Sequence, residues 1–188
     1  MLVELVLRKR KTIMAQAPFI TIASDGGCSP NPGLGGWAFA IYDGEAVEGN
    51  ELLDVSGNAV EMAGIAEQST NNIMEVYALD RALCMIICYA AVGWVSPREI
   101  RLRLDSQYTL NAFFDWIPGW KRRGWRKADG KPVKNQELMM GLDHLKAQLE
   151  EMGFSFRNDW HRGHAGDFAN EHVDQMVQAA REEYLGKS

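Results

Sequence analysis

The stretch Pro18 to Trp37, PFITIASDGGCSPNPGLGGW, constrains the chain more than any other. Phe19, Ile20, Thr21 and Ile22 form an apolar, β-branched run that reads as a buried strand. That strand runs into a single carboxylate, Asp25, followed by two glycines, a proline-rich turn and a second candidate strand. A charge at the end of a buried strand needs a reason. An isolated Asp-Gly serves as an Asx-turn, its side chain accepting backbone N–H bonds, and that reading stands unless other acids gather at the same place.

The rest of the chain supplies the partners for that strand. Gly36 to Tyr42 reads as a second strand closed by the turn Asp43-Gly44, and a third is expected within Glu51 to Val60, interrupted by Gly57-Asn58. Short turns between the three imply an antiparallel meander. Ile73 to Ala90 repeats apolar residues at helical spacing and is expected to be a core helix. Ile100 to Leu104 alternates as a strand and ends at Asp105. A short helix from Ser106 should stop at Pro118-Gly119, because proline removes a helical N–H. A helix over Asn135 to Met152, a strand over Phe154 to Trp160 and a last helix over Glu171 to Tyr184 complete one α/β domain. Its five strands make a mixed sheet, in which parallel neighbours joined through helices follow the antiparallel start.

Residues 1–17 carry little pattern. Their charges follow the apolar patch, the wrong order for a secretory signal, although Ala15-Gln16-Ala17 resembles a cleavage site. A frayed basic extension is expected, and Met14 is an alternative start. No apolar run approaches the roughly 18 residues of a membrane span. Three cysteines, with Cys84 and Cys88 four apart in an apolar run, suit a helix interior and a reducing cytoplasm better than a metal.

The net charge of −5 argues against wholesale nucleic-acid binding, but it is an average. Trp120 to Asn135 carries seven basic residues against Asp129, a local +6 that leaves −11 for the remainder. A basic segment is mounted on an acidic body.

Asp25 and Asp105 end two strands, while Glu75 and Asp174 lie in the first turns of two helices. Each has an ordinary role open to it: Asp105 as a helix N-cap, Glu75 favoured by the helix dipole, Asp174 as a solvated residue. If the first and fourth strands are parallel neighbours, Asp25 and Asp105 emerge side by side where open α/β sheets place ligands. Two carboxylates 4 Å apart repel by about 4 kcal/mol at an effective dielectric near 20. Shared protons or divalent cations relieve that repulsion, and hard oxygen ligands without cysteine favour Mg2+ or Mn2+.

Five motifs carry a family resemblance. DGGCSPNPGLGGW (Asp25 to Trp37), STNNIME (Ser69 to Glu75), LDSQY (Leu104 to Tyr108), WKRRGW with KPVKN (Trp120 to Asn135) and HRGHAGDFANEHVD (His161 to Asp174) resemble bacterial type 1 ribonuclease H. The likeness runs in register from Phe19 to Tyr184. It implies a ribonuclease H-like fold with helices on both faces of the sheet and a single catalytic domain over residues 18–188. The implied reaction is hydrolysis of the RNA strand of an RNA/DNA hybrid, leaving 5′-phosphate and 3′-hydroxyl ends, in the removal of RNA primers and hybrids during replication. Asp25, Glu75, Asp105 and Asp174 would hold two Mg2+ ions, with Mn2+ as a substitute, and the Gly26 carbonyl would approach the metal. His164 matches the histidine that assists water activation or product release, whereas His144, His161 and His172 have no such match and read as surface residues. A cytoplasmic monomer is expected.

The resemblance also assigns substrate contacts. Cys28, Asn31, Asn71, Asn72 and Gln107 occupy positions that test the minor groove, where the 2′-hydroxyl marks RNA. Helix capping is a second role open to Asn71 and Asn72. Thr70 and Asn135 match a pocket for a DNA phosphate. Residues 116–135 resemble the family's basic handle, in which Lys121, Arg122, Arg123, Arg126 and Lys127 give sequence-independent affinity. Trp116, Trp120 and Trp125 stack on sugars or, more in keeping with their spacing, pack the handle onto its own helix. Gln68 and Ile73 replace basic residues common in relatives, and the 50-residue interval from Asp25 to Glu75 is longer than usual, with the extra length expected in 50–66.

Overall fold

A computed structural model of the chain describes residues 16–54, 56–163 and 166–187. Its strands are β1 (Phe19–Cys28), β2 (Gly33–Asp43), β3 (Glu61–Ser69), β4 (Glu99–Arg103) and β5 (Ser155–Asn158). They form one sheet in the order β3-β2-β1-β4-β5, with antiparallel pairing of β1 to β2 and β2 to β3 and parallel pairing of β1 to β4 and β4 to β5. The expected mixed sheet is therefore present. Its helices are α1 (Asn71–Ala91), α2 (Gln107–Asn111), α3 (Ile117–Arg122), α4 (Gln136–Glu151) and α5 (Phe168–Gly186).

The two sheet faces differ because alternate strand residues point to opposite sides. Ile20 and Ile22 of β1, with Phe39 and Ile41 of β2, are buried in the larger core against Leu79, Leu83 and Ile86 of α1 and Met139 and Leu142 of α4. The other face is built mostly from alanines, with Tyr42 as its one large, fully buried side chain. Ala23, Ala38, Ala40 and Tyr42 pack there against Ala169, Val173 and Val177 of α5. Asp25 is two residues beyond Ala23 and so belongs to the α5 side.

Two expectations need correction. The third strand is Glu61–Ser69 and not a strand within Glu51 to Val60. Among the described residues of 51–60, strand pairing is limited to the isolated bridges Tyr42↔Glu51 and Leu53↔Ala59. The Asp54 carboxylate explains this, since it accepts from the N–H groups of Ser56 at 2.7 Å and Asn58 at 3.0 Å and closes a tight turn. Pro118-Gly119 also fails to end the helix that starts after Asp105. A π-helical turn, Ala112–Trp116, shifts the ladder so that the Ile117 N–H donates to Ala112, and Pro118 falls in the first turn of α3, where its missing N–H is harmless.

Residues 1–15 of the expected extension lie outside the described residues. Gln16 and Ala17 are tied to the domain: the Ala17 N–H donates to Asp43 at 3.2 Å, and the Gln16 amide donates to the Trp94 carbonyl at 3.3 Å. Among the described residues, no helix is long and apolar enough to cross a membrane.

Candidate active site

The parallel register of β1 and β4 ends with Ala23 opposite Arg103. Continued by two residues on each strand, it places Asp25 beside Asp105, at the carboxyl ends of neighbouring strands. Glu75 arrives from the other direction, on the first turn of α1. That approach depends on Gly26, whose missing side chain leaves room for the α1 backbone: a Cβ there would stand 2.3 Å from the Met74 carbonyl carbon. The packing gives Gly26 a role independent of any metal. Asp174 enters from α5, its carboxylate accepting from the Gln178 amide at 2.8 Å.

The charges of Asp105, Asp174 and Glu75 all act on Asp25. The Asp25 carboxyl is pushed up to about 6, first by burial and then by the charge of Asp105, with Asp174 and Glu75 adding to it; the Gly26 N–H pulls the other way. Glu75 is also raised, chiefly by burial and secondarily by Asp105, against the hydrogen bond from Ser106. The Ser106 hydroxyl donates to Glu75 at 2.6 Å, while its oxygen accepts the Thr109 N–H at 3.2 Å. Ser106, not Asp105, is thus the N-cap of α2.

A loop after β5 closes over Asp105. The His161 N–H donates to the Leu104 carbonyl at 3.1 Å, and the Trp160 indole donates to the Asp105 carbonyl at 3.2 Å. Gly163 lies so close that a Cβ would be 2.5 Å from the Asp105 carboxylate oxygen Oδ2. Sequence reasoning missed Ser106, Trp160 and Gly163 as supports of the acids; only the serine, preceding a helical pattern, carried a capping signal. His164 lies outside the described residues. His161 lies at the surface 3.7 Å from Asp159 and 3.9 Å from Asp167, and His172 lies at the surface against Glu61 at 2.7 Å.

The donor set suits a hard divalent cation: all four side chains are carboxylates, and the rise at Asp25, owed first to burial and then to Asp105, marks a negative charge held there without a counter-charge. Among the described residues, no three carboxyl, thiol or imidazole groups are already gathered as a ligand cluster.

The amide residues join the turn after β1 to the start of α1. The Cys28 N–H donates to Asn71 Oδ1 at 2.8 Å, and the Asn71 N–H donates to Asn31 Oδ1 at 3.3 Å. Asn71 is therefore a bridge and not a cap; the N-cap position is Thr70, whose side chain makes no capping bond. Asn72 is half-buried in the first turn of α1, and Gln107 is exposed at the start of α2. The Thr70 hydroxyl is buried without a hydrogen-bond partner, whereas the Asn135 amide lies against the Tyr108 hydroxyl, where its hydrogen bond partly offsets the rise that burial gives that phenol.

The handle residues divide into two groups. Trp120 and Trp125 pack against the main core, and Trp116 lies 5.6 Å from both Tyr108 and Trp120, ring centre to centre. Lys121 pairs with Asp143 at 2.9 Å, Arg123 donates to the Arg126 carbonyl at 3.2 Å, and Arg126 donates to the Gly130 carbonyl at 2.9 Å. Arg122 and Lys127 are exposed.

Sheet order and acid placement define a ribonuclease H-like α/β domain. Residues 17–182 match the family model for RNase H. Ribonuclease H of Thiobacillus denitrificans is 40% identical over 161 residues, covering 86% of this chain and 92% of that protein. Ribonuclease H of Acidiphilium cryptum is 39% identical over 174 residues, covering 92% and 93%. The chain belongs to the ribonuclease H family. Solved structures agree on the fold: LC9-RNase H1, described as a type 1 enzyme with the type 2 active-site motif, superposes with a TM-score of 0.65 at 20% identity, covering 91% of this chain and 75% of that one. LC11-RNase H1 in complex with an RNA/DNA hybrid gives 0.55 at 23% identity, covering 88% and 99%.

Proposed function

We propose that the protein is an endonuclease that hydrolyses the RNA strand of RNA/DNA hybrids, with Asp25, Glu75, Asp105 and Asp174 holding two divalent cations, Mg2+ in the first place. The observation that carries this reading is the convergence of acids at the end of β1: the parallel register with β4 brings Asp105 to Asp25, and Gly26 lets the first turn of α1, with Glu75, descend onto them. The Asp25 carboxyl is pushed up to about 6, first by burial and then by Asp105. Such a cluster is costly unless a cation neutralises it, and a domain that only bound hybrids would have no use for it. Bound cations would supply the Lewis acidity for in-line attack of water on the phosphorus, with cleavage of the bond to the 3′ oxygen. The water oxygen stays on the phosphorus, and the proton that the water gives up is matched by one taken up at the departing 3′ oxygen, giving 5′-phosphate and 3′-hydroxyl ends. Ser106 holds Glu75 in place by its hydrogen bond. His164, in the HRGHAGD motif, is assigned proton handling at the attacking water or in product release.

Substrate selection is assigned to the cluster of Cys28, Asn31 and Asn71, whose mutual bonds present a rigid polar edge to a minor groove, together with Asn72 and Gln107. The unpartnered hydroxyl of Thr70 suits a phosphate of the DNA strand, with the Asn135 amide beside Tyr108 assigned to the same phosphate. The exposed Arg122 and Lys127 provide affinity without sequence preference, along with Lys121, Arg123 and Arg126 once their internal bonds exchange. Trp120 and Trp125 serve by holding the handle to the core. The enzyme is assigned to the cytoplasm as a monomer.

One assay tests the whole reading. A labelled RNA/DNA hybrid is offered beside single-stranded RNA, double-stranded RNA and DNA, each with Mg2+ and with chelator. Cleavage of the hybrid alone, and only with Mg2+, is expected. Cleavage in excess chelator would instead indicate a metal-free carboxylate dyad. Asp25→Asn and Asp105→Asn should fold and lose cleavage; full activity in both would remove the metal assignment.

A further inference from the structure

Arg103 stands two residues before Asp105, so its side chain shares the α5 side of the sheet with that acid. Its guanidinium is mostly buried and fully engaged. Nε donates to Asp167 Oδ2 at 2.9 Å, Nη2 donates to the same oxygen, and Nη1 donates to Asp159 Oδ2 at 3.3 Å. Asp167 is the N-cap of α5, its other oxygen accepting the Asn170 N–H at 3.0 Å. Seven residues on, two helical turns later, comes Asp174. Asp159 begins the segment that closes over Asp105, and its N–H donates to the Leu102 carbonyl at 3.1 Å.

One side chain therefore joins three elements: the strand that delivers Asp105, the segment packed on Asp105, and the first turn of the helix that delivers Asp174. The neighbouring Arg101 does nothing of the kind. It lies over the Phe19 ring and pairs with Glu99 at 2.8 Å and Glu45 at 3.4 Å, away from the acids. A mostly buried ion pair such as this is weak evidence for stability, because desolvation offsets the attraction. A rigid, planar fork is better at fixing directions between elements, which a lysine cannot reproduce.

We propose that Arg103 is a positioning residue that sets the spacing between Asp105 and Asp174 and thereby the divalent-cation affinity of the site. This rests on the metal-binding reading given above. None of the groups assigned to the RNA strand depends on Arg103, so its effect should fall on metal binding and turnover, not on hybrid affinity.

The experiment measures Mg2+ binding by calorimetry on the intact protein without nucleic acid, then kcat and KM on a hybrid, for Arg103→Lys and Asp167→Asn. Asn caps helices as well as Asp, so Asp167→Asn keeps the α5 start while losing the charged pair; it carries the test alone if Arg103→Lys does not fold. Each folded variant should bind Mg2+ about tenfold more weakly and lose about tenfold in kcat, in line with other supports of metal ligands, with KM for the hybrid unchanged. In an Asp174→Asn background the further loss on Arg103→Lys should largely disappear. Wild-type Mg2+ affinity in folded Arg103→Lys or Asp167→Asn would overturn the proposal, as would an undiminished loss in the Asp174→Asn background. If the unaltered protein binds no Mg2+, the metal reading and this proposal fall together; if it does and the variants match it, only this proposal falls.

Discussion

A Cβ added to Gly26 would lie 2.3 Å from the Met74 carbonyl carbon and 2.6 Å from the Glu75 nitrogen. Backbone faces backbone at this point, so no side chain can swing away to make room. Gly26→Ala must push the first turn of α1 off β1, moving Glu75 away from Asp25. A loss of about 2 kcal/mol in urea unfolding is expected, as for other overpacked sites, with hybrid cleavage reduced out of proportion to the unfolded fraction.

Asp25 gives a pH signature. Its folded carboxyl titrates near 6 against an unfolded value near 3.8, so the folded state holds the proton more tightly. Below about pH 4 both states are protonated and the shift costs nothing; as pH rises through 6 the folded state loses stability, and the loss persists above. Asp25→Asn should thus be more stable than the unaltered protein at pH 7.5 in chelator, by at most about 3 kcal/mol, with the gain gone at pH 3.5. Thermal melts at the two pH values check this.

Ser106 bonds both the α2 N-terminus and Glu75. Ser106→Ala should cost about 1 to 2 kcal/mol for the missing cap and hydrogen bond. It should also raise Glu75 further, because the serine bond is what holds that carboxyl down. The acidic limb of the pH–rate profile should move to higher pH, which a stability defect alone would not produce.

The Thr70 hydroxyl is buried and unpartnered. Replacing it with a methyl of the same shape removes a desolvated group that bonds nothing, so Thr70→Val should leave stability unchanged or higher. If the hydroxyl waits for a phosphate, KM for the hybrid should rise several-fold while kcat holds. Steady-state kinetics beside a denaturant melt separate the two effects.

Arg122 and Lys127 are exposed, whereas the charges of Lys121, Arg123 and Arg126 already have protein partners. Arg122→Ala with Lys127→Ala should lower the slope of log affinity against log salt by up to about 2, near 0.9 for each phosphate that is no longer neutralised. Binding titrations in chelator, with a non-cleavable hybrid, at several salt concentrations measure it.

The meander, the long core helix and the acid at the end of β1 were legible because strand and helix periodicity are local properties, visible within a dozen residues. The third strand was misplaced for the same reason: Glu51 to Val60 looks as strand-like as Glu61 to Ser69 until Asp54 is seen to close a turn. Likewise, Pro118-Gly119 reads as a helix stop, but a π-helical turn upstream moves the proline to a position where it does no harm.

By itself the sequence determined the kinds of groups present: four carboxylates at element ends, an amide-rich turn, a basic segment and the family motifs that order them. Tertiary structure alone decided which of these meet. Asp25 and Asp105 are neighbours because β1 and β4 pair in parallel; Glu75 joins them because Gly26 lets α1 descend; Ser106 reaches Glu75 across 31 residues and Arg103 reaches Asp167 across 64. Such meetings depend on how whole elements pack, and no local window of residues contains that information.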